Sequence, residues 1–160
     1  MIVSLISLLL ATAPGVFRLG ASSGTPAQPA EPFAVHVFTA ARGDPKVVKR
    51  LKRAAEALTK ELGKRNDWFR VVDEKTDAEI LVEVQGYWID EQWHPESRRH
   101  FSEDHYVQAK VMLFDQEFGL KGVDNRSPGK MKDAVSDLAR ALQEICEDNY
   151  GYLLRVRGER

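Results

Sequence analysis

Hydrophobic positions along the chain recur with a period of two in some stretches and three to four in others, and their order sets the expected fold. Phe33 to Ala40, FAVHVFTA, is apolar on both faces apart from His36, as in a central strand covered on at least one side. Asp44-Pro45 then sets an N-cap beside a first-turn proline, and Val47, Val48, Leu51, Ala54, Ala55, Leu58 and Leu62 follow at helical steps up to Gly63. This spacing predicts an amphipathic helix over 45–62. Phe69-Arg70-Val71-Val72 is a short second strand. Ile80, Val82 and Val84 alternate with Glu79, Glu83 and Gln85, so the third strand has one buried and one wet face. The same alternation puts Trp88 with Val82 and Val84 on the inward face, and Tyr87 and Ile89 on the wet one. Val107, Ala109, Val111 and Leu113 repeat the pattern after a loop, and a turn around Gln116-Glu117 leads to the return strand Phe118-Gly119-Leu120. Ser127-Pro128 opens a last helix with the stripe Met131, Val135, Leu138, Leu142 and Ile145, and Gly151 marks its expected end. The order β-α-β-β-β-β-α predicts an α+β fold: a two-layer sandwich with a mixed, mainly antiparallel sheet and two helices on one face.

Upstream of this domain, Met1 to Phe17 contains no charged side chain, and Ile2 to Ala11 reads IVSLISLLLA. The run is shorter than the ~20 apolar residues of a membrane-spanning helix and fits the core of an export signal. The expected organisation is a signal peptide over 1–21, a linker rich in Pro, Ala and Ser over 22–32, and one α+β domain over 33–160. The run has no neighbouring cysteine for lipid attachment. Export to the periplasm or medium, with no stable membrane anchor after cleavage, is therefore expected.

Phe69-Arg70-Val71-Val72-Asp73, a short turn, and Asp77-Ala78-Glu79-Ile80-Leu81-Val82-Glu83-Val84 together resemble a pattern in bacterial envelope proteins. It is similar to the amino-terminal domain of TolB and to the lipoprotein activators of penicillin-binding proteins, over residues 34–85. The resemblance implies a non-enzymatic module that binds other envelope proteins, and it carries over no functional residue.

Composition narrows the functional classes. With 43% hydrophobic and 29% charged residues the chain is neither disordered nor multi-spanning, and a net charge of −1 gives no global case for nucleic-acid binding. A single cysteine, Cys146, excludes an internal disulfide and a cysteine-based zinc site, and its place on the last helix suits a small core residue. His36, interrupting a strand, reads as a satisfied interior histidine. The charge is unevenly placed. Residues 42–65 hold nine basic and three acidic side chains, whereas residues 66–120 hold five basic and thirteen acidic.

The densest chemistry lies between residues 87 and 106, in a loop expected over 92–104 and the strand ends that flank it. Tyr87, Trp93 and Phe101, with Arg98 and Arg99, form a candidate contact surface, because aromatic rings and arginine dominate recognition energetics. His94, His100 and His105 are the candidate ligands of a divalent ion, although their spacing matches no metallohydrolase signature. These features predict a non-catalytic envelope module that binds a protein or glycan, without cofactor or nucleic acid, and as a monomer. The alternatives are a metal-dependent enzyme built on those three histidines, or an anion or membrane-surface binder acting through the basic helix.

Overall fold

A computed structural model describes residues 28–93, 101–124 and 130–158. Five strands form one sheet in the order β2-β1-β3-β4-β5: β1 (Phe33–Phe38), β2 (Phe69–Val71), β3 (Ile80–Trp93), β4 (Phe101–Leu113) and β5 (Gln116–Asp124). β1 is parallel to both β2 and β3, whereas β3–β4 and β4–β5 are antiparallel hairpin pairs. The helices are α1 (Pro45–Gly63), α2 (Met131–Asp148) and α3 (Tyr150–Gly158). The mixed-sheet α+β sandwich expected from the hydrophobic pattern is the observed fold.

α1 begins where Asp44 Oδ1 accepts a hydrogen bond from the Lys46 amide at 2.8 Å, with Pro45 fixing the first turn. Leu51, Ala54, Ala55, Leu58 and Leu62 are its buried stripe. They meet Phe33, Val35, Ile80, Val82, Val84, Val107, Ala109, Val111 and Leu113 from the sheet, and Val135, Leu138, Leu142 and Cys146 from α2. Each fully buried Leu or Phe contributes roughly 1.5–3 kcal/mol, so this layer is the main stabilising term. α2 sits unusually close to the edge strand. A Cβ added at Gly122 would lie 2.1 Å from the Ala134 carbonyl oxygen and 2.7 Å from Leu138 Cβ, so only glycine fits there. Beside it, the outward Val123 amide donates to Asp137 Oδ2 at 3.1 Å, which covers part of the exposed edge.

Three expectations are corrected. The last helical region is two helices rather than one: α2 ends at Asp148, and α3 continues through Gly151 to bury Leu153 and set Tyr150 edge-on to Phe33 and Trp68. The tight turn of the β4–β5 hairpin is Phe114-Asp115 rather than Gln116-Glu117. Leu113 pairs with Gln116 across it, and Phe114 takes a positive φ of 55° with its ring against Tyr152. Finally, the loop expected over 92–104 is strand at both of its ends. β3 runs on to Trp93 and β4 begins at Phe101, so the two strands extend as a ribbon past the end of β1. The strand residues are polar outside the core, so alternation alone does not reveal them.

Arg157 on α3 closes the end of the sheet where β1 and β3 begin. Its guanidinium donates to both carboxylate oxygens of Glu79, at 2.6 and 2.7 Å, and to the carbonyls of Glu31 and Pro32, while stacking over Phe33. Glu79 in turn accepts from the Ala34 amide. The segment entering β1 is thereby tied to the last helix.

Candidate functional site

The register of β3 against β4 decides which side chains the ribbon presents. Val84 pairs with Ala109, but Gly86 pairs with Gln108, so Gln85 is an extra residue, a β-bulge. A bulge shifts every later side chain to the opposite face. Trp88 therefore leaves the core side and stands 39% exposed on the helix-free face, while Tyr87 and Ile89 turn to the helix side. The expectation that Trp88 shares the face of Val82 and Val84 is overturned. An isolated glycine inside a strand pattern is the sequence signal of a bulge, and Gly86 carried it.

On the open face Trp88 is the register partner of Tyr106, and their rings stack at 5.3 Å with planes 13° apart. The indole leans back over Gly86, where a Cβ would approach a ring carbon to 3.1 Å. Lys121 of β5 reaches across both rings, its ammonium 4.3 Å from the Tyr106 centroid and 5.3 Å from that of Trp88. Partial burial pushes the Tyr106 phenol above its ordinary pKa, and the carboxylates of Asp104 and Asp90 add to the shift. Around the pair the face is polar: Gln85 donates to Glu83, Lys110 pairs with Glu117 at 2.7 Å, and Gln108 is exposed. The result is a small aromatic platform with a cation above it and carboxylates and amides around it.

The helix side of the ribbon holds a different arrangement. The Tyr87 hydroxyl and His105 Nδ1 share a hydrogen bond of 2.7 Å, and His105 is 8% exposed. Its Nε2 is buried without a hydrogen-bond partner, the nearest carboxylate oxygen being Glu103 Oε2 at 3.8 Å. Burial raises the Tyr87 pKa, which the Arg50 charge on α1 opposes and Glu103 reinforces. Asp124, opposite His105 in register, is 3% exposed and accepts from the Lys130 amide at 2.7 Å, ahead of α2.

The residues singled out from the sequence are thus divided. Tyr87 faces the helices as part of the phenol–imidazole pair rather than standing free. Trp93 and Phe101 are register partners at the outer end of the ribbon. Arg98, Arg99, His94 and His100 lie outside the described residues. Of the three expected metal ligands only His105 is described, with one ring nitrogen already bound to Tyr87. Among the described residues no three His, Cys, Asp or Glu side chains converge on a common point. His36 is satisfied, its Nδ1 lying 3.0 Å from the Val72 carbonyl oxygen. Cys146 is buried, which pushes its thiol pKa up to about 12 and leaves it protonated. Sequence reasoning passed over Lys121 and the partnership of Trp88 with Tyr106.

No protein-family model matches the chain, and no curated protein matches it. Among solved structures it is similar to rare lipoprotein B from Shewanella oneidensis, at 11% identity and a TM-score of 0.37, with 79% of this chain and 94% of that one covered. It is also similar to PelC from Paraburkholderia phytofirmans, described as a dodecamer, at 13% identity and a TM-score of 0.42, covering 74% and 92%. A third is an uncharacterised lipoprotein B from Nitrosomonas europaea, at 14% identity and a TM-score of 0.36, covering 79% and 81%. The likeness to TolB and to the penicillin-binding-protein activators is not shown by these comparisons.

Proposed function

We propose that this protein is a non-catalytic module of the bacterial cell envelope that captures a partner through the open face of the β3–β4 ribbon. One observation supports the reading above the others: an indole held 39% exposed by a bulge and a glycine, stacked on a second ring. A large apolar side chain in that position costs solvation and adds nothing to the core, which lies on the other side of the sheet. A glycan fits the platform better than a protein does. Protein hot spots sit inside an apolar, water-excluding surround, whereas here the rings are bordered by Lys121, Gln108, Asp90 and Glu83, groups suited to sugar hydroxyls.

The test is co-sedimentation of the full chain with purified peptidoglycan, chitin and cellulose. Retention on at least one of them, lost in a Trp88→Ala variant that still unfolds in a single cooperative transition, supports the reading. Retention by none, or undiminished retention of Trp88→Ala, contradicts it.

A further inference from the structure

The outer side of α1 differs from the other basic surfaces of the molecule. Lys46, Lys49, Lys52, Arg53 and Lys60 are exposed, and among the described residues none reaches a carboxylate within ion-pair distance. Lys64 is held by Glu61, Lys110 by Glu117, Arg140 by Glu144 and Arg157 by Glu79, whereas these five cations of α1 share one helix without such partners. The helix also carries no acidic residue in its first turn, where the macrodipole favours one and disfavours lysine. Lys46 and Lys49, near the unfavourable end of the helix, oppose folding slightly, and the unpaired cations together raise the local positive potential.

The surface is not flat. A depression of about 600 Å³ is lined by Pro45, Val48, Lys49, Lys52, Arg53 and Glu56. A second, of about 320 Å³, continues along the helix between Arg53, Glu56, Lys60, Lys132 of α2 and the Glu61–Lys64 ion pair. From Lys46 to Lys60 the stripe is about 21 Å long: Lys46, Lys49, Lys52 and Arg53 fill its first turns, Glu56 interrupts them, and Lys60 follows one turn later. Glu56 lies where the two depressions meet, so the occupant there must offer a hydrogen-bond donor as well as negative charge. Membrane insertion is disfavoured, because Leu51, Leu58 and Leu62 are committed to the core and Val47 is the exposed large apolar residue on the helix.

We propose that this stripe binds an extended acidic glycan, a polysaccharide bearing carboxylates that meet the cations and hydroxyls that face Glu56. The site lies on the helical layer, opposite the Trp88 platform, so it stands or falls separately from the proposed function.

Fluorescence anisotropy of labelled polygalacturonate oligomers with the full chain tests it. Binding is expected at about 20 mM salt and should weaken about tenfold or more by about 150 mM, where exposed charges are screened over ~8 Å. The triple variant Lys49→Glu, Arg53→Glu, Lys60→Glu should lose binding, and Trp88→Ala should keep it. The milder pair Lys49→Gln, Arg53→Gln should weaken binding severalfold, and it decides the question if the triple variant fails to fold. No binding at low salt, or binding undiminished by the milder pair, overturns the proposal. Equal or tighter binding of polyphosphate, or of vesicles of anionic lipid, overturns it as well, by assigning the stripe to another partner.

Discussion

The two ends of the β3–β4 ribbon are built by different rules. In its inner half, Ile80 to Val84 and Ala109 to Leu113, β3 is flanked by β1 and β4 by β5, and the helices cover one face. Its polar groups there are matched: Glu79 receives Arg157 and the Ala34 amide, and Tyr152 reaches Asp115. In the outer half, from Gly86 onward, β1 has already ended at Phe38. Trp88 and Ile89 are about 40% exposed, and a buried His105 nitrogen lacks a partner. Unmatched groups carry a free-energy cost that the inner half avoids. The comparison teaches that stability resides at the closed end, while the open end carries the exposed rings on which the proposed recognition rests.

The largest effect should come from breaking the seat of α2 on β5. Gly122→Val drives a side chain into the Ala134 carbonyl, which is backbone and cannot swing away, and should cost about 3 kcal/mol or more in urea unfolding. Next is the closed end itself. Arg157→Met removes a bidentate, partly buried partner of Glu79 and should cost about 2 kcal/mol by the same measurement. At the open end the expected changes are smaller. Tyr87→Phe and His105→Leu should each cost about 1 kcal/mol, because each leaves the other's polar atom buried and unpaired. The double variant removes both groups and the orphaned Nε2, so it should cost less than the sum of the singles. A double-variant cost equal to the sum would show that the pair is not coupled.

How much of this was legible in the sequence varies with the range of the interaction. α1 could be read almost to the residue, because Asp44-Pro45 and the three-to-four-residue spacing are local signals. The inner half of β3 and the core face of α2 were equally plain, since burial on one side imposes alternation. The start of β4 was read as loop, because its buried positions are filled by polar side chains such as Asp104 and His105 and so carry no hydrophobic period. The face of Trp88 was misread because one inserted residue, Gln85, reverses everything after it. Arg157 and Glu79 are 78 positions apart, and no local pattern could pair them. α3 has no clear amphipathic stripe, since a short helix capping one end of the sheet makes its contacts on several sides.

Two predictions of little or no stability change sharpen the contrast. Trp88→Ala should cost only about 1 kcal/mol, the worth of its stack on Tyr106, since the ring lies outside the core. Cys146 should resist iodoacetamide in the native protein at pH 8, since its thiol stays protonated until about pH 12, and should react readily once urea unfolds the chain.

The contrast between the two ends is tested most directly by residue-resolved amide hydrogen exchange of the free protein. Hydrogen-bonded amides of 80–84 and 109–113 should exchange only through global unfolding. Those of 86–90 and 104–106 should exchange about tenfold faster or more, through local opening of the ribbon. Equal protection along the whole ribbon would contradict the account, because the outer half would then be as much a part of the stable core as the inner.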